Sequence, residues 1–170
     1  METVKDIIRE LRVRNYNRFD VFYNLTKQQV FFAIYAIVKD QSVAEDLLQD
    51  TYMRFLEKIE HYKEGHNPFA YLTTIGRNLA INYYHQRKKE IISDEYIEMI
   101  PSPEEDIQDD TDILALLDIL SQDEREIVVM HVINDFKFRE IAEMIHKPLG
   151  TVLWIYNKAI KKMKEKVGEK

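Results

Sequence analysis

The segment 138–163, FREIAEMIHKPLGTVLWIYNKAIKKM, sets a proline and a glycine two residues apart between two stretches of helical apolar periodicity. Pro148 costs roughly 3 kcal/mol inside a helix and Gly150 admits unusual dihedrals, so KPLG is expected to be a turn between two short helices. On the first helix Ile141, Ala142 and Ile145 line the inner face, and Ala142 is small enough for a second helix to cross closely. Thr151 is placed to cap the second helix. There Val152, Ile155, Tyr156, Ala159 and Met163 recur as an inward stripe, while Trp154, Asn157, Lys158 and Lys161 face outward. Two short helices, a tight turn and a polar outer face fit a recognition helix for the major groove, or a plain helical hairpin.

The rest of the chain is equally helical in its signals. Only four glycines and four prolines occur in 170 residues, and Leu, Ile, Glu and Lys are abundant, which points to an all-α protein of one or two small cores. No apolar run approaches the roughly 18 residues of a membrane span, and the N-terminal METVKDIIRELRVR is charged and helical in period, unlike a signal peptide. The cytoplasm is the expected compartment, with no membrane insertion. The absence of cysteine excludes a disulfide framework, a thiolate zinc site or a thiol switch in this chain.

A net charge of −6 argues against a nucleic-acid partner until it is divided along the chain. Residues 90–112 hold ten acidic residues and no basic one, and outside them 24 bases face 20 acids. With Pro101 and Pro103 and little periodicity, this stretch reads as a charge-extended tether, or else a solvated loop of one domain. Either way it separates an N-terminal part from a C-terminal one.

In the N-terminal part, QSVAEDLLQDTYMRFLEKI begins with Ser42 and Glu45 in capping-box spacing, followed by Ala44, Leu47, Leu48, Thr51, Phe55 and Ile59 on one stripe. The opposite face carries Asp46, Asp50, Met53 and Glu57, and is either merely solvated or fit to dock on a basic partner helix. Next, Asn67 and Pro68 suit a helix start, with Phe69, Leu72, Ile75 and Leu79 as its buried stripe. From Arg77 to Lys89 there are four basic residues, no acid, and Tyr83, Tyr84 and His85 among them. Basic groups beside aromatic rings and amides suit single-stranded nucleic acid, or form a helix end that complements its own dipole. In the C-terminal part, Ser121 and Glu124 repeat the capping-box spacing before another apolar run.

Taken together these segments resemble the extracytoplasmic-function sigma factors, two-domain subunits of bacterial transcription initiation. AEDLLQDTYMRFL resembles the region 2 helix that grips core RNA polymerase. FAYLTTIGRNLAINYYHQRKK resembles the promoter-melting and −10-reading segment, and LSQDEREIVVMHVINDFKFREIAEMIHKPLGTV resembles region 4, which reads the −35 element. The resemblance implies a region 2 bundle over 1–90, an acidic linker over 91–111 and a region 4 helix-turn-helix over 112–170. It implies core-polymerase contacts from Asp46, Gln49, Asp50, Met53, Arg54 and Glu57. For −10 DNA it implies Arg77, Asn78, Asn82, Tyr83, His85, Arg87, Lys88 and Lys89, and for −35 DNA Lys147, Thr151, Leu153, Trp154, Asn157, Lys158 and Lys161. The partners it implies are core RNA polymerase, promoter DNA and an anti-sigma factor, free or membrane-anchored. No catalytic residue, metal or cofactor is expected, since the polymerase makes the RNA bonds.

The chain departs from the family pattern in places. Tyr71 stands where tryptophan is usual, and Asn82 where aspartate is common. Lys137 replaces the usual cap serine and cannot accept an amide bond, which passes the capping role to Asp135. After GTV, basic and small polar residues give way to Leu153, Trp154 and Ile155, so −35 contact is expected to be weaker or differently specific. The alternatives are a stand-alone helix-turn-helix regulator, which would leave the acidic helix at 42–59 without a purpose, and a sigma-like polymerase binder with altered promoter reading, which Leu153 to Ile155 keep open. A metal enzyme is disfavoured, because His61, His66, His85, His131 and His146 show no paired spacing on one helix face.

Overall fold

In the computed structural model, which describes residues 2–93 and 111–168, the described chain is helical and forms two compact units, residues 1–86 and 87–170. The first unit contains α1 (Glu2–Arg12), α2 (Phe19–Val38), α3 (Gln41–Glu57), a 3-10 turn (Ile59–His61) and most of α4 (Pro68–Ser93). The second contains α5 (Thr111–Asp118), α6 (Gln122–Val128) running into a π turn (Val129–Ile133), α7 (Phe138–Ile145) and α8 (Leu149–Gly168). Of the expected linker 91–111, residues 94–110 lie outside the described residues, while 91–93 close α4 and Thr111 opens α5.

The first unit is organised around α2, in which Phe32 to Ile37 are all buried. A stretch apolar on every side is stable only when covered all round, which makes the C-terminal half of α2 the axis of the bundle. Lys39 ends it in the left-handed conformation, φ 52°, with its amide bonded to the Tyr35 carbonyl at 2.8 Å. The two-residue connection then forces α3 back antiparallel. Tyr52, late in α3, accordingly lies edge-on to Phe19 and Phe22 early in α2.

Asp40 caps α3, its carboxylate accepting from the Val43 amide at 3.0 Å. The expected Ser42–Glu45 capping box is therefore corrected: the helix begins one residue before Ser42, and Asp40 has already taken the third-residue amide. The inner face matches the sequence stripe at Ala44, Leu48, Thr51 and Phe55, with Tyr52 as an addition. Asn67 does start α4, accepting from the Phe69 amide at 3.0 Å, with Pro68 at the first helical position. The buried line of α4, however, is Leu72, Thr73, Gly76 and Ala80, while Phe69, Ile75 and Leu79 are only half-buried. Gly76 is the reason. A Cβ there would stand 3.1 Å from Ile34 Cγ1 and 3.3 Å from Thr51 Oγ1, so its absence lets α4 press against α2 and α3.

In the second unit Ser121 and Glu124 form the capping box that their spacing predicts, with the Ser121 amide donating to Glu124 Oε2 at 2.9 Å. The core is Leu117, Leu120, Ile127, Val128, Val129, Met130 and Phe136 with Ile141, Val152, Ile155 and Ala159. Asp135 does not cap α7; it is exposed with φ 57° in the preceding turn. Lys137 holds the cap position without a side-chain cap bond, and only its own amide is satisfied, donating to Glu140 Oε2 at 2.8 Å.

Candidate nucleic-acid and partner interfaces

The turn between α7 and α8 is shorter than KPLG. His146 adopts the left-handed conformation, φ 56°, and the Lys147 amide returns to the Ala142 carbonyl at 3.0 Å, which closes α7 as a Schellman motif. Helix α8 starts at Leu149, and Val152 donates to the Pro148 carbonyl. Thr151 therefore sits inside the first turn of α8, which corrects its expected role as cap, and Gly150 is an ordinary helical residue without positive φ. The change of direction is made by His146 and Pro148.

Three aromatic rings fix the crossing of the helices. His131 from the π turn stacks on Phe138 of α7 at 4.0 Å between centroids, and Tyr156 of α8 stands edge-on to both at 5.0 and 4.9 Å. His131 Nδ1 also lies 2.9 Å from the Phe136 carbonyl, which holds the ring in plane for that stack. With Val152, Ile155 and Ala159 buried beneath, the opposite side of α8 is set outward. There Thr151, Leu153, Trp154, Asn157, Lys158 and Lys161 are all exposed, Trp154 at 64%. Lys147, in the turn, is half-buried and pairs with Asp123 at 3.5 Å.

Lys158 is not simply solvated. Its Nζ lies 5.2 Å from the centre of the Trp154 ring and 3.8 Å from Glu124 Oε1. Glu124 is buried, and both its oxygens accept from Lys162 Nζ at 2.9 Å. Burial opposes the charge of this carboxylate, but the bonds from Lys162 and the Ser121 amide, with the positive charges of Lys162 and Lys158, outweigh it and hold its pKa below the ordinary value. Glu124 was visible in the sequence only as a capping residue. Its lysine partner lies 38 positions away, beyond any local signal.

On α4 the structure lays Asn78, Asn82, His85 and Lys89 along one exposed strip at helical spacing, with Lys88 also exposed. Arg77, Tyr83 and Arg87 are half-buried at its flank, and Tyr84 and His85 meet ring to ring at 6.1 Å. On α3 the set Asp46, Gln49, Asp50, Met53, Arg54 and Glu57 is exposed throughout, Met53 at 63%, opposite the buried Ala44, Leu48, Thr51 and Phe55. Tyr71, in the place of the usual tryptophan, is half-buried between Phe55 and Tyr62. The α3 set and the residues Thr151, Leu153, Trp154, Asn157, Lys158 and Lys161 of α8 each share one exposed face, whereas Lys147 lies in the turn before α8 and Arg77, Tyr83 and Arg87 lie off the exposed strip of α4. Among the described residues no helix is long and apolar enough to cross a membrane, and no cluster of His, Asp or Glu is arranged to hold a metal.

A helix whose inner side is locked by apolar and aromatic contacts, set behind a tight turn with polar and basic groups outward, defines a helix-turn-helix protein of the DNA-binding class. Residues 22–90 match the family model of Sigma-70 region 2, and residues 110–163 that of Sigma-70, region 4. The RNA polymerase sigma factor SigV of Bacillus subtilis (strain 168) is 28% identical over 139 residues, covering 81% of this chain and 84% of its own. The ECF RNA polymerase sigma factor EcfG of Rhodopseudomonas palustris (strain TIE-1) is 31% identical over 124 residues, 71% of this chain and 68% of its own. The sigma factor RpoE, solved in complex with the anti-sigma factor NepR from Bartonella quintana, shares the fold with a TM-score of 0.69 at 24% identity, covering 86% of this chain and 94% of that one. The chain belongs to the extracytoplasmic-function group of the sigma-70 family. It is a transcription initiation sigma factor, of a family that is non-enzymatic and for which core-polymerase binding and promoter recognition are typical.

Proposed function

We propose that the three exposed faces divide the work of promoter-specific initiation among them. The acidic face of α3, centred on Asp46, Asp50, Met53 and Glu57, docks on core RNA polymerase, with Gln49 and Arg54 at its edges. The strip of α4 at Asn78, Asn82 and His85, flanked by Tyr83, receives an unpaired −10 base. Displacing a base from its stack costs a few kcal/mol, which stacking and hydrogen bonding must return. Arg77, Arg87, Lys88 and Lys89 neutralise the phosphates around it. The outer face of α8 enters the −35 major groove, where Leu153 and Trp154 offer apolar surface to thymine methyl groups, and Asn157 offers amide groups to base edges. Lys147, Lys158 and Lys161 pair with flanking phosphates, Lys147 by exchanging Asp123 for one.

The observation that carries this reading is the sidedness of α8: Val152, Ile155 and Ala159 are buried and Tyr156 packs inward, while Leu153, Trp154, Asn157 and Lys158 are exposed. That division is made by packing alone and leaves one face for a partner. The functional division runs 1–90, an acidic connection over 91–111, and 112–170. The chain itself catalyses no reaction, needs no cofactor, and works in the cytoplasm beside the polymerase. An anti-sigma factor covers one of these faces when transcription is off, a reading supported by the NepR complex of RpoE. Co-purification with core RNA polymerase, followed by transcription from promoters with randomised −10 and −35 elements, tests the whole. Failure to co-purify, or transcription indifferent to both elements, would refute it.

A further inference from the structure

We propose that Glu124, on α6, is a positioning residue for the DNA-facing side of α8, acting through Lys158 on Trp154. The inference rests on the reading of α8 as the −35 helix and adds a residue that makes no contact with DNA. Glu124 has a side chain only 3% exposed, and its carboxylate serves two ammonium groups one helical turn apart, Lys162 at 2.9 Å and Lys158 at 3.8 Å. Lys158 in turn lies 5.2 Å from the centre of the Trp154 ring, one turn earlier. Trp154, Lys158 and Lys162 therefore form a single ridge along α8, anchored at a carboxylate from another helix.

The physical consequence is restraint. An exposed lysine and an exposed tryptophan would each sample several rotamers, and ordering them against DNA would cost that freedom at the moment of binding. Glu124 removes part of the cost beforehand by holding the ammonium, and the ammonium lies against the electron-rich indole ring. The carboxylate also sets one negative charge against two positive ones, so the ridge meets DNA with less charge than its lysines suggest. Less charge and more order favour reading sequence over gripping phosphate. Lys161, exposed on a different line of the helix, is outside this arrangement.

Glu124→Gln keeps the side-chain length and an oxygen for the Ser121 amide while removing the charge. If Glu124 acts as proposed, full-length Glu124→Gln binds non-specific duplex DNA more tightly, with a salt slope steeper by about one. At the same time it discriminates less among randomised −35 elements when assayed with core polymerase. A residue that only supported the fold would lose binding on both counts.

Trp154 is the only tryptophan in the chain, so intrinsic fluorescence reads its surroundings directly. Glu124→Gln and Lys158→Met are each expected to change its emission and lower its anisotropy, and Glu124→Gln is expected to add nothing in the Lys158→Met background. Lys158 is a surface residue outside the capping box, so that variant stays informative even where Glu124→Gln unfolds. Unchanged tryptophan emission in both variants, or a Glu124→Gln effect that persists in full without Lys158, would overturn the proposal. A wild-type protein indifferent to −35 sequence would instead sink the reading of α8, and the fluorescence cycle judges the Glu124–Lys158–Trp154 coupling apart from it.

Discussion

Replacing Thr26 by valine is expected to destabilise the first unit more than replacing Tyr52 by phenylalanine, although both substitutions delete the same buried hydrogen bond. The direction of that bond is the reason. Thr26 Oγ1 donates its one proton to the Phe22 carbonyl at 2.8 Å, so the Tyr52 hydroxyl must be the donor in the bond between the two side chains. Phenylalanine at 52 leaves Thr26 with its donor still used and removes one ordinary bond, a loss of about 0.5–1.5 kcal/mol. Valine at 26 leaves the Tyr52 hydroxyl proton buried without an acceptor, at a cost of about 1–3 kcal/mol, while the Phe22 carbonyl keeps its helical bond. A loss of ~2 kcal/mol lowers the melting temperature of a unit this size by roughly 8–16 °C. The double variant removes donor and acceptor together and replaces them with apolar surface, so it is expected to recover most of what valine alone loses. Thermal and urea unfolding followed by circular dichroism measure all three. A Thr26→Val protein as stable as Tyr52→Phe, or a double variant no better than Thr26→Val, would refute the assigned direction.

Reversing Asp50 to arginine is expected to weaken co-elution with core RNA polymerase at unchanged helicity, because the residue is exposed opposite the apolar stripe of α3. Trp154→Ala is expected to alter −35 preference across a randomised library with little loss of helicity, whereas Lys161→Ala lowers affinity for all sequences and reduces the salt slope by about one. Burial is the main cause that raises the Tyr52 pKa above its ordinary 10.0. The neutral phenol thus stabilises the fold below pH 10, and stability falls as the pH rises above it, read by alkaline unfolding of wild type against Tyr52→Phe. Glu124 has the opposite sign: its pKa is depressed, so its contribution is present above pH 4.5 and is lost as the pH falls below. Acid melts of wild type and Glu124→Gln are expected to converge there.

Much of this protein was legible in the sequence because helices announce themselves locally. Spacings of three and four residues placed the exposed faces of α3 and α8, and Ser121 with Glu124 marked a helix start through groups three residues apart. The break at Pro148 separated α7 from α8 for the same reason, since a missing amide is a property of one residue. What the sequence left open depends on partners distant along the chain. Asp40 displaced Ser42 as cap because the antiparallel return of α3 fixes where that helix begins. The inner line of α4 followed Gly76, whose lack of a side chain acquires meaning only against Ile34 and Thr51. His146 supplied the left-handed residue that glycine was expected to provide, because the pause in the chain falls at the end of α7 rather than after Pro148. Glu124 is the clearest case. Its spacing to Ser121 determined that it would cap a helix, but packing of α6 on α8 brought it to Lys158 and Lys162, and only burial in that contact turns a capping carboxylate into the anchor of a charged ridge. Local periodicity encodes which way a side chain points; which group it meets there is decided by how whole helices pack.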